Sequence, residues 1–167
     1  MKFDTTEKID FYLPKVKSFI DEVVVPAEQE IFKRDIPEEK RWEPYPELDD
    51  LKKEARSRGL WNLFLPDSEY GAGLSNYEYA HLAEAMGRTY LASEAMNCSA
   101  PDTGNMEVLV RYGSEEQQET WLKPLLEGKI RSAFGMTEPQ VASSDATNME
   151  ATAKLVDGQW VINGEKW

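Results

Sequence analysis

Hydrophobic positions recur at intervals of three and four through the first three quarters of the chain, then at intervals of two. Val16, Phe19, Ile20, Val23, Ala27 and Ile31 form one such stripe, the mark of a helix with a single buried face. Pro14 suits the first turn of that helix, and Pro26 is expected to bend or restart it. Residues 34–46 are charged and rich in proline, which predicts a connection. Leu48, Leu51 and Ala55 predict a second helix, with Gly59 as its C-terminal stop. Residues 60–74 carry Trp61, Phe64, Tyr70 and a Gly71-Ala72-Gly73 turn around Pro66, and read as an apolar loop laid on the core.

Ser75 is placed to cap a third helix bearing Tyr79, Leu82, Ala83 and Met86. A short apolar piece, residues 90–96, follows. Pro101 and Asp102 open a further helix with Met106, Leu109 and Val110, stopped by Gly113. Ser114-Glu115-Glu116-Gln117 has the spacing of a capping box. Trp121, Leu122, Leu125 and Leu126 are expected on that helix's buried face, with Pro124 restarting it and Gly128 ending it. At Ile130 the period changes. Residues 130–137 alternate, and 151–156 with 159–163 flank Asp157-Gly158, the strongest short hairpin signal. The pattern therefore predicts a mainly α chain: a helical-bundle domain over residues 1–129, then the truncated start of a β-domain over 130–167.

Composition narrows the function. The chain has 167 residues, 31 acids against 19 bases and a net charge of -12. That balance disfavours nucleic acid, which needs clustered Lys and Arg, but leaves room for a phosphate held by backbone N–H groups. No apolar run is long enough to span a bilayer. Asp4 and Glu7 argue against a transit peptide, and no basic-apolar-small secretory pattern stands at the start. Cys98 is the single cysteine, which excludes an internal disulfide and fits a reducing, cytoplasmic compartment. His81 is the single histidine, so no site can draw two His ligands from one chain, and no metal site is expected.

The candidate chemistry lies in Phe134-Gly135-Met136-Thr137-Glu138-Pro139, in Ser143-Ser144-Asp145, and in Asn163-Gly164-Glu165-Lys166-Trp167. An extended strand followed by a small-residue loop presents N–H donors to an anion and to a polar ring edge. A capped turn between two strands would use the same Ser143-Ser144-Asp145. Glu138 reads better as a structural carboxylate in the turn than as a general base. His81 reads as a surface or satisfied core histidine, and Cys98 as a small buried residue with no histidine partner nearby. Glu115, Glu116 and Glu119 read as a solvated face and partners of the helix dipole.

These stretches, together with Ala100-Pro101-Asp102-Thr103-Gly104-Asn105-Met106-Glu107, Tyr112-Gly113-Ser114-Glu115-Glu116-Gln117 and Val161-Ile162-Asn163-Gly164, occur in an order that resembles the N-terminal part of the acyl-CoA dehydrogenases, in the branch that acts on longer acyl chains. The resemblance runs from about Pro14 to Trp167. It implies an N-terminal helical domain, a middle β-barrel domain and a C-terminal helical bundle. It also implies FAD, an acyl-CoA substrate, α,β-dehydrogenation in fatty-acid β-oxidation, and an electron-transfer flavoprotein or similar acceptor. A homo-oligomer is implied for the complete enzyme.

By position, the resemblance implies cofactor contacts from Phe134, Gly135, Met136, Thr137, Glu138, Ser143 and Ser144, with Ser144 also near substrate. It places the catalytic base in the C-terminal domain, so no catalytic residue is assigned here and the chain alone is expected to be inactive. Residues 97–106 would form part of an acyl-chain wall, or equally a core contact. Two features depart from the family pattern. The loop Gln140-Val141-Ala142-Ser143-Ser144-Asp145 is one residue longer than the family's and lacks glycine. Trp167 follows Lys166 directly, one position before the family's flavin-packing aromatic. A flavin oxidase or monooxygenase on the same scaffold, and a non-enzymatic helical binding module, fit the same residues.

Overall fold

The computed structural model describes residues 5–167; Asp4 lies outside them. It divides into two compact units, one running through Ser132 and one from Ala133 to Trp167. The first is helical: α1 (Glu7–Phe19), α2 (Val25–Phe32), α3 (Leu48–Ser57), α4 (Asn76–Met86), α5 (Ala92–Ala95), α6 (Asp102–Tyr112), α7 (Glu115–Gln117) and α8 (Lys123–Leu126). The second carries one antiparallel hairpin, β1 (Thr152–Val156) and β2 (Gln159–Asn163).

In the helical unit α1 packs on α4, α3 on α5, and α6 against the stretch that links α7 to α8. Phe19, Ile20, Ile31, Leu60, Leu82 and Met106 are among the side chains fully withdrawn from solvent at its centre. Burying aliphatic and aromatic groups of this size is worth about 1.5–3 kcal/mol each, the main force holding a bundle of short helices together. The loop at residues 60–74 belongs to this core, with Leu60, Leu63, Phe64, Leu65 and Leu74 buried. Its backbone is tied down from outside. Trp61 Nε1–H and Asn62 Nδ2–H both donate to the Leu126 carbonyl, at 2.7 and 3.0 Å, and Asn97 Nδ2–H donates to Asn62 Oδ1 at 2.7 Å. Gly71 is required by close approach, since a Cβ there would lie 2.2 Å from the Leu65 carbonyl oxygen.

The caps follow local chemistry. Ser75 with Glu78, and Ser114 with Gln117, each form a reciprocal capping box, satisfying two end donors apiece. Gly59 and Gly128 take positive φ just past helix ends. Three expectations need correction. Helix α1 does not begin near Pro14: Thr6 caps it by accepting from Ile9 N–H, Ile9 is buried, and the exposed Pro14 sits mid-helix with its ring toward solvent. Trp121 is not on a buried face but 55% exposed, because the turn there is wider than an α turn. Residues 130–137, where the alternation predicts a strand, enter no ladder, so no strand forms there among the described residues.

Both interior prolines after α1 are met in the same way. One residue ahead of Pro26, Val25 N–H reaches back five residues to the Ile20 carbonyl; one ahead of Pro124, Lys123 N–H reaches back to Gln118. A π turn opens the room that a proline ring denies to an ordinary α turn. It also rotates the face, which explains why Val24 rather than Val23 is fully buried.

The end of the helical unit is fixed by one acid. Asp102, at the start of α6, is 4% exposed and accepts from Arg131 Nε (2.6 Å), Ser132 N–H (2.7 Å) and Ser132 Oγ–H (2.6 Å). Arg131 also reaches Glu94 at 2.8 Å, and Lys52 reaches the same Glu94 oxygen at 2.8 Å. Burial works against the Asp102 charge, but the Ser132 and Arg131 donors outweigh it and hold its carboxyl below the usual range. A group that ionises more readily folded than unfolded contributes stability above the unfolded-state pKa and loses it as pH falls through the folded value. Asp102→Asn is therefore expected to lower stability at neutral pH by about 2 kcal/mol, the scale of a broken buried charge-assisted hydrogen bond. The same variant should flatten the acid limb of stability below about pH 4. Urea denaturation followed by helix ellipticity from pH 7 to 3 measures both; a midpoint equal to wild type at pH 7 would contradict it.

Candidate functional site

The second unit brings together every residue singled out from sequence, except that it turns them in two directions. Phe134, Gly135 and Thr137 are exposed and Met136 is half-buried, while Glu138 and Ser143 are 6% and 2% exposed. Ser144 is exposed, one residue after Ser143.

Glu138 is the centre of the inward set. Its Oε2 accepts from Glu150 N–H at 2.8 Å and its Oε1 from Ala151 N–H at 3.1 Å. Lys166 Nζ lies 2.8 Å from Oε1. Its own N–H donates to Ser143 Oγ at 2.7 Å. Lys166 first, then the Glu150 amide, holds the carboxyl below its usual range against a smaller opposing effect of burial. A carboxylate so committed is fully ionised at neutral pH and has no room to take a proton from a substrate, so Glu138 is a structural anchor. It joins three stretches far apart in sequence: the extended segment, the entry to β1 and the tail after β2.

The tail lies alongside the extended segment. Trp167 N–H donates to the Thr137 carbonyl at 3.0 Å, and Lys166 Nζ donates to the Met136 carbonyl at 3.0 Å. This approach depends on Gly164, whose φ is +152° and where an added Cβ would lie 2.5 Å from Ala151 Cβ. The turn between the strands is a two-residue loop with Asp157 at φ 49° and Gly158 at φ 80°, as the Asp-Gly pair predicts. Asp145 caps the turn over Ala146–Asn148, accepting from Thr147 Oγ1–H at 2.7 Å and Thr147 N–H at 3.0 Å.

The outward set is a row of unused donors. Among the described residues, the N–H groups of residues 134–137, the Thr137 hydroxyl, and the N–H and hydroxyl of Ser144 find no partner within the chain. The Phe134 ring beside them is 70% exposed. Unpaired N–H groups close in sequence to an exposed aromatic ring and an exposed hydroxyl are groups that a polar or anionic ligand can use. Ser143 is buried with its Oγ accepting from Glu138 N–H, so Ser144 is the serine exposed to meet such a ligand.

Elsewhere the chemistry is absent or committed. Among the described residues no cluster of His, Cys, Asp or Glu has the makings of a metal site. Burial pushes the Cys98 thiol up to about 11, far from a nucleophile's range. His81 packs edge-on against Tyr77 at 5.0 Å between ring centres. Within residues 97–106, Cys98, Asp102 and Met106 are buried in the helical core.

Residues 6–129 match the family described as acyl-CoA dehydrogenase, N-terminal domain. This chain belongs to the acyl-CoA dehydrogenase family. It is 60% identical over 154 residues to acyl-CoA dehydrogenase family member 10 of Mus musculus, a match covering 89% of this chain and 14% of that protein. It is 48% identical over 170 residues to the "Probable acyl-CoA dehydrogenase FadE2" of Mycobacterium tuberculosis, covering 100% of this chain and 41% of the other. A solved structure, "Structure of a putative acyl-CoA dehydrogenase from Mycobacterium abscessus", superposes with a TM-score of 0.90 at 55% identity, covering 98% of this chain and 42% of that one. The chain thus spans less than half the length of these relatives. The ordered motifs pointed to this family, and the mainly α fold ending in two antiparallel strands agrees with it.

Sequence reading missed Lys166 as a site residue. Its motif, Asn163 to Trp167, was singled out, but nothing local pairs the lysine with a glutamate 28 positions earlier. Gly164→Ala is expected to push the tail off Ala151, a backbone strain of about 1–3 kcal/mol. Amide exchange at Ala151 and Trp167 measures it; unchanged protection at both would refute the account of the tail.

Proposed function

We propose that this chain is the flavin-edge portion of an FAD-dependent acyl-CoA dehydrogenase that carries out α,β-dehydrogenation of acyl-CoA thioesters. The single observation that supports it most is the set of unpaired donors at residues 134–137, next to the Glu138 anchor, in a chain of this family. FAD, when bound, supplies the acceptor for the β-hydrogen as hydride while the α-proton leaves to a carboxylate base. The backbone N–H groups of residues 134–137 and the Thr137 hydroxyl meet the ring edge of the cofactor. Phe134 and Gly135 give it an uncovered surface to approach. Ser144 donates to a phosphate and toward the substrate. Ser143 and Glu138 serve the same site as its frame, fixing the turn that sets Ser144 outward.

On this reading, the base comes from a part of the complete enzyme other than these residues, and the 167-residue chain alone turns over no substrate. An electron-transfer flavoprotein or similar carrier reoxidises the cofactor, the complete enzyme is a homo-oligomer, and it works in the cytoplasm. No helix among the described residues is long and apolar enough to cross a membrane.

Thr137→Ala and Ser144→Ala should each weaken FAD or acyl-CoA binding while leaving the thermal midpoint in place. One hydrogen bond to a charged or polar ligand group is worth about 1–3 kcal/mol, roughly a 5- to 150-fold rise in Kd. Equilibrium dialysis with each ligand reads this directly. Affinities unchanged in both variants would overturn the site, and turnover of acyl-CoA by the isolated chain with added FAD would overturn the assignment of the base elsewhere.

A further inference from the structure

The proposed cofactor edge does not stand alone: a cation sits behind it. Lys166 Nζ makes two contacts to oxygen, besides a longer one of 3.7 Å to Met149 Sδ. One, at 2.8 Å, is to Glu138 Oε1. The other, at 3.0 Å, is to the Met136 carbonyl oxygen. That carbonyl belongs to the same peptide group as the Thr137 N–H, which has no partner within the chain among the described residues. The Gly135 position lies against the Lys166 stem, with an added Cβ meeting Lys166 Cβ at 3.6 Å, so the two stretches run side by side.

A simple ion pair would need only the carboxylate. The ammonium instead straddles the carboxylate and one chosen carbonyl. A positive charge donating to a peptide oxygen draws electron density from that peptide's nitrogen, and the opposite N–H becomes a stronger donor. The Glu138 end of this bridge is withdrawn from water, its side chain 5% exposed, while the Lys166 side chain is 32% exposed and its bond to Met136 is open to solvent. The next peptide is treated likewise. Trp167 N–H donates to the Thr137 carbonyl, and Glu138 N–H on that peptide donates to Ser143 Oγ. One of the two polarised N–H groups is thus used on the loop that carries Ser144, and the other, on the exposed Thr137, has no partner within the chain among the described residues.

Resting on the FAD reading above, we infer that Lys166 is a positioning residue of the cofactor site: held by Glu138, it fixes and polarises the Met136–Thr137 peptide so that the Thr137 N–H is the strongest donor offered to the flavin ring edge. It touches no ligand itself. Its role explains why a buried carboxylate stands at this point of the chain. Glu138 keeps the ammonium at the back of the edge, where a free lysine would swing into solvent.

The test is nitrogen-15 NMR of the 167-residue chain with FAD titrated in, for wild type, Lys166→Met and Lys166→Arg. In wild type, FAD is expected to shift the amides of residues 134–137 and Ser144. In Lys166→Met, the Thr137 amide proton moves upfield without any FAD present, the hairpin amides of β1 and β2 keep their positions, and the Kd for FAD rises about tenfold, the equivalent of one hydrogen bond. Lys166→Arg restores the Thr137 shift and most of the affinity. A wild type that FAD leaves unshifted overturns the cofactor reading itself. Binding by wild type, with equal affinity and an unmoved Thr137 amide in Lys166→Met, overturns the role of Lys166 and leaves the cofactor reading standing. If Lys166→Met loses the hairpin resonances, Glu138→Gln decides: an upfield Thr137 amide and weaker FAD binding with the hairpin intact support the inference, and wild-type values for both overturn it.

Discussion

A carboxylate withdrawn from water has to be met by donors, and the second unit is built around meeting one. Glu138 draws in the Glu150 and Ala151 amides and the Lys166 ammonium. Those three donors come from either side of the hairpin, so satisfying the charge also closes the unit. Two strands of five residues, with every position exposed, are a marginal structure by themselves. Tying both ends of the hairpin to one anion gives the unit a geometry that strand pairing alone would not. It also leaves the N–H groups of residues 134–137 unpaired, because the tail takes only the Met136 and Thr137 carbonyls.

The helical unit solves a similar problem with Asp102. There the partners are the side chain and backbone of Arg131 and Ser132, the last residues before the second unit begins. In both places an acid at a turn fixes a segment distant in sequence, and in both the donors keep the acid ionised. The difference lies in what is left over. Around Asp102 the ion pairs of Glu94 with Arg131 and with the half-buried Lys52 finish the network. Around Glu138 the network ends at a backbone edge with donors to spare, which is why the second site, not the first, carries the functional reading.

Much of the helical unit was legible because helix ends are written in short-range chemistry. Ser75 with Glu78, Ser114 with Gln117, and the glycines 59 and 128 each act within a few residues, as does the Asp157-Gly158 turn. What was not legible depends on neighbours the pattern cannot see. The start of α1 was obscured because Pro14 looks like a first-turn residue, whereas Ile9 and the Thr6 contact with Glu78 on α4 place the start a full turn and more earlier. Trp121 fits an apolar period but lies where a π turn rotates it outward. Ser143 and Ser144 are alike in sequence; only the reach of Glu138 N–H decides which one faces in. The family was legible from motif order, while the division of its motif residues into frame and edge required the fold.

The measurement that bears most directly on this account is amide hydrogen exchange across residues 134–151, with and without FAD. The account predicts that Glu150 and Ala151 are protected in both conditions, because Glu138 holds them. It predicts that residues 134–137 exchange freely in the chain alone and slow when FAD is added. Protection of residues 134–137 without FAD, or exchange at Glu150 and Ala151 as fast as theirs, would contradict it.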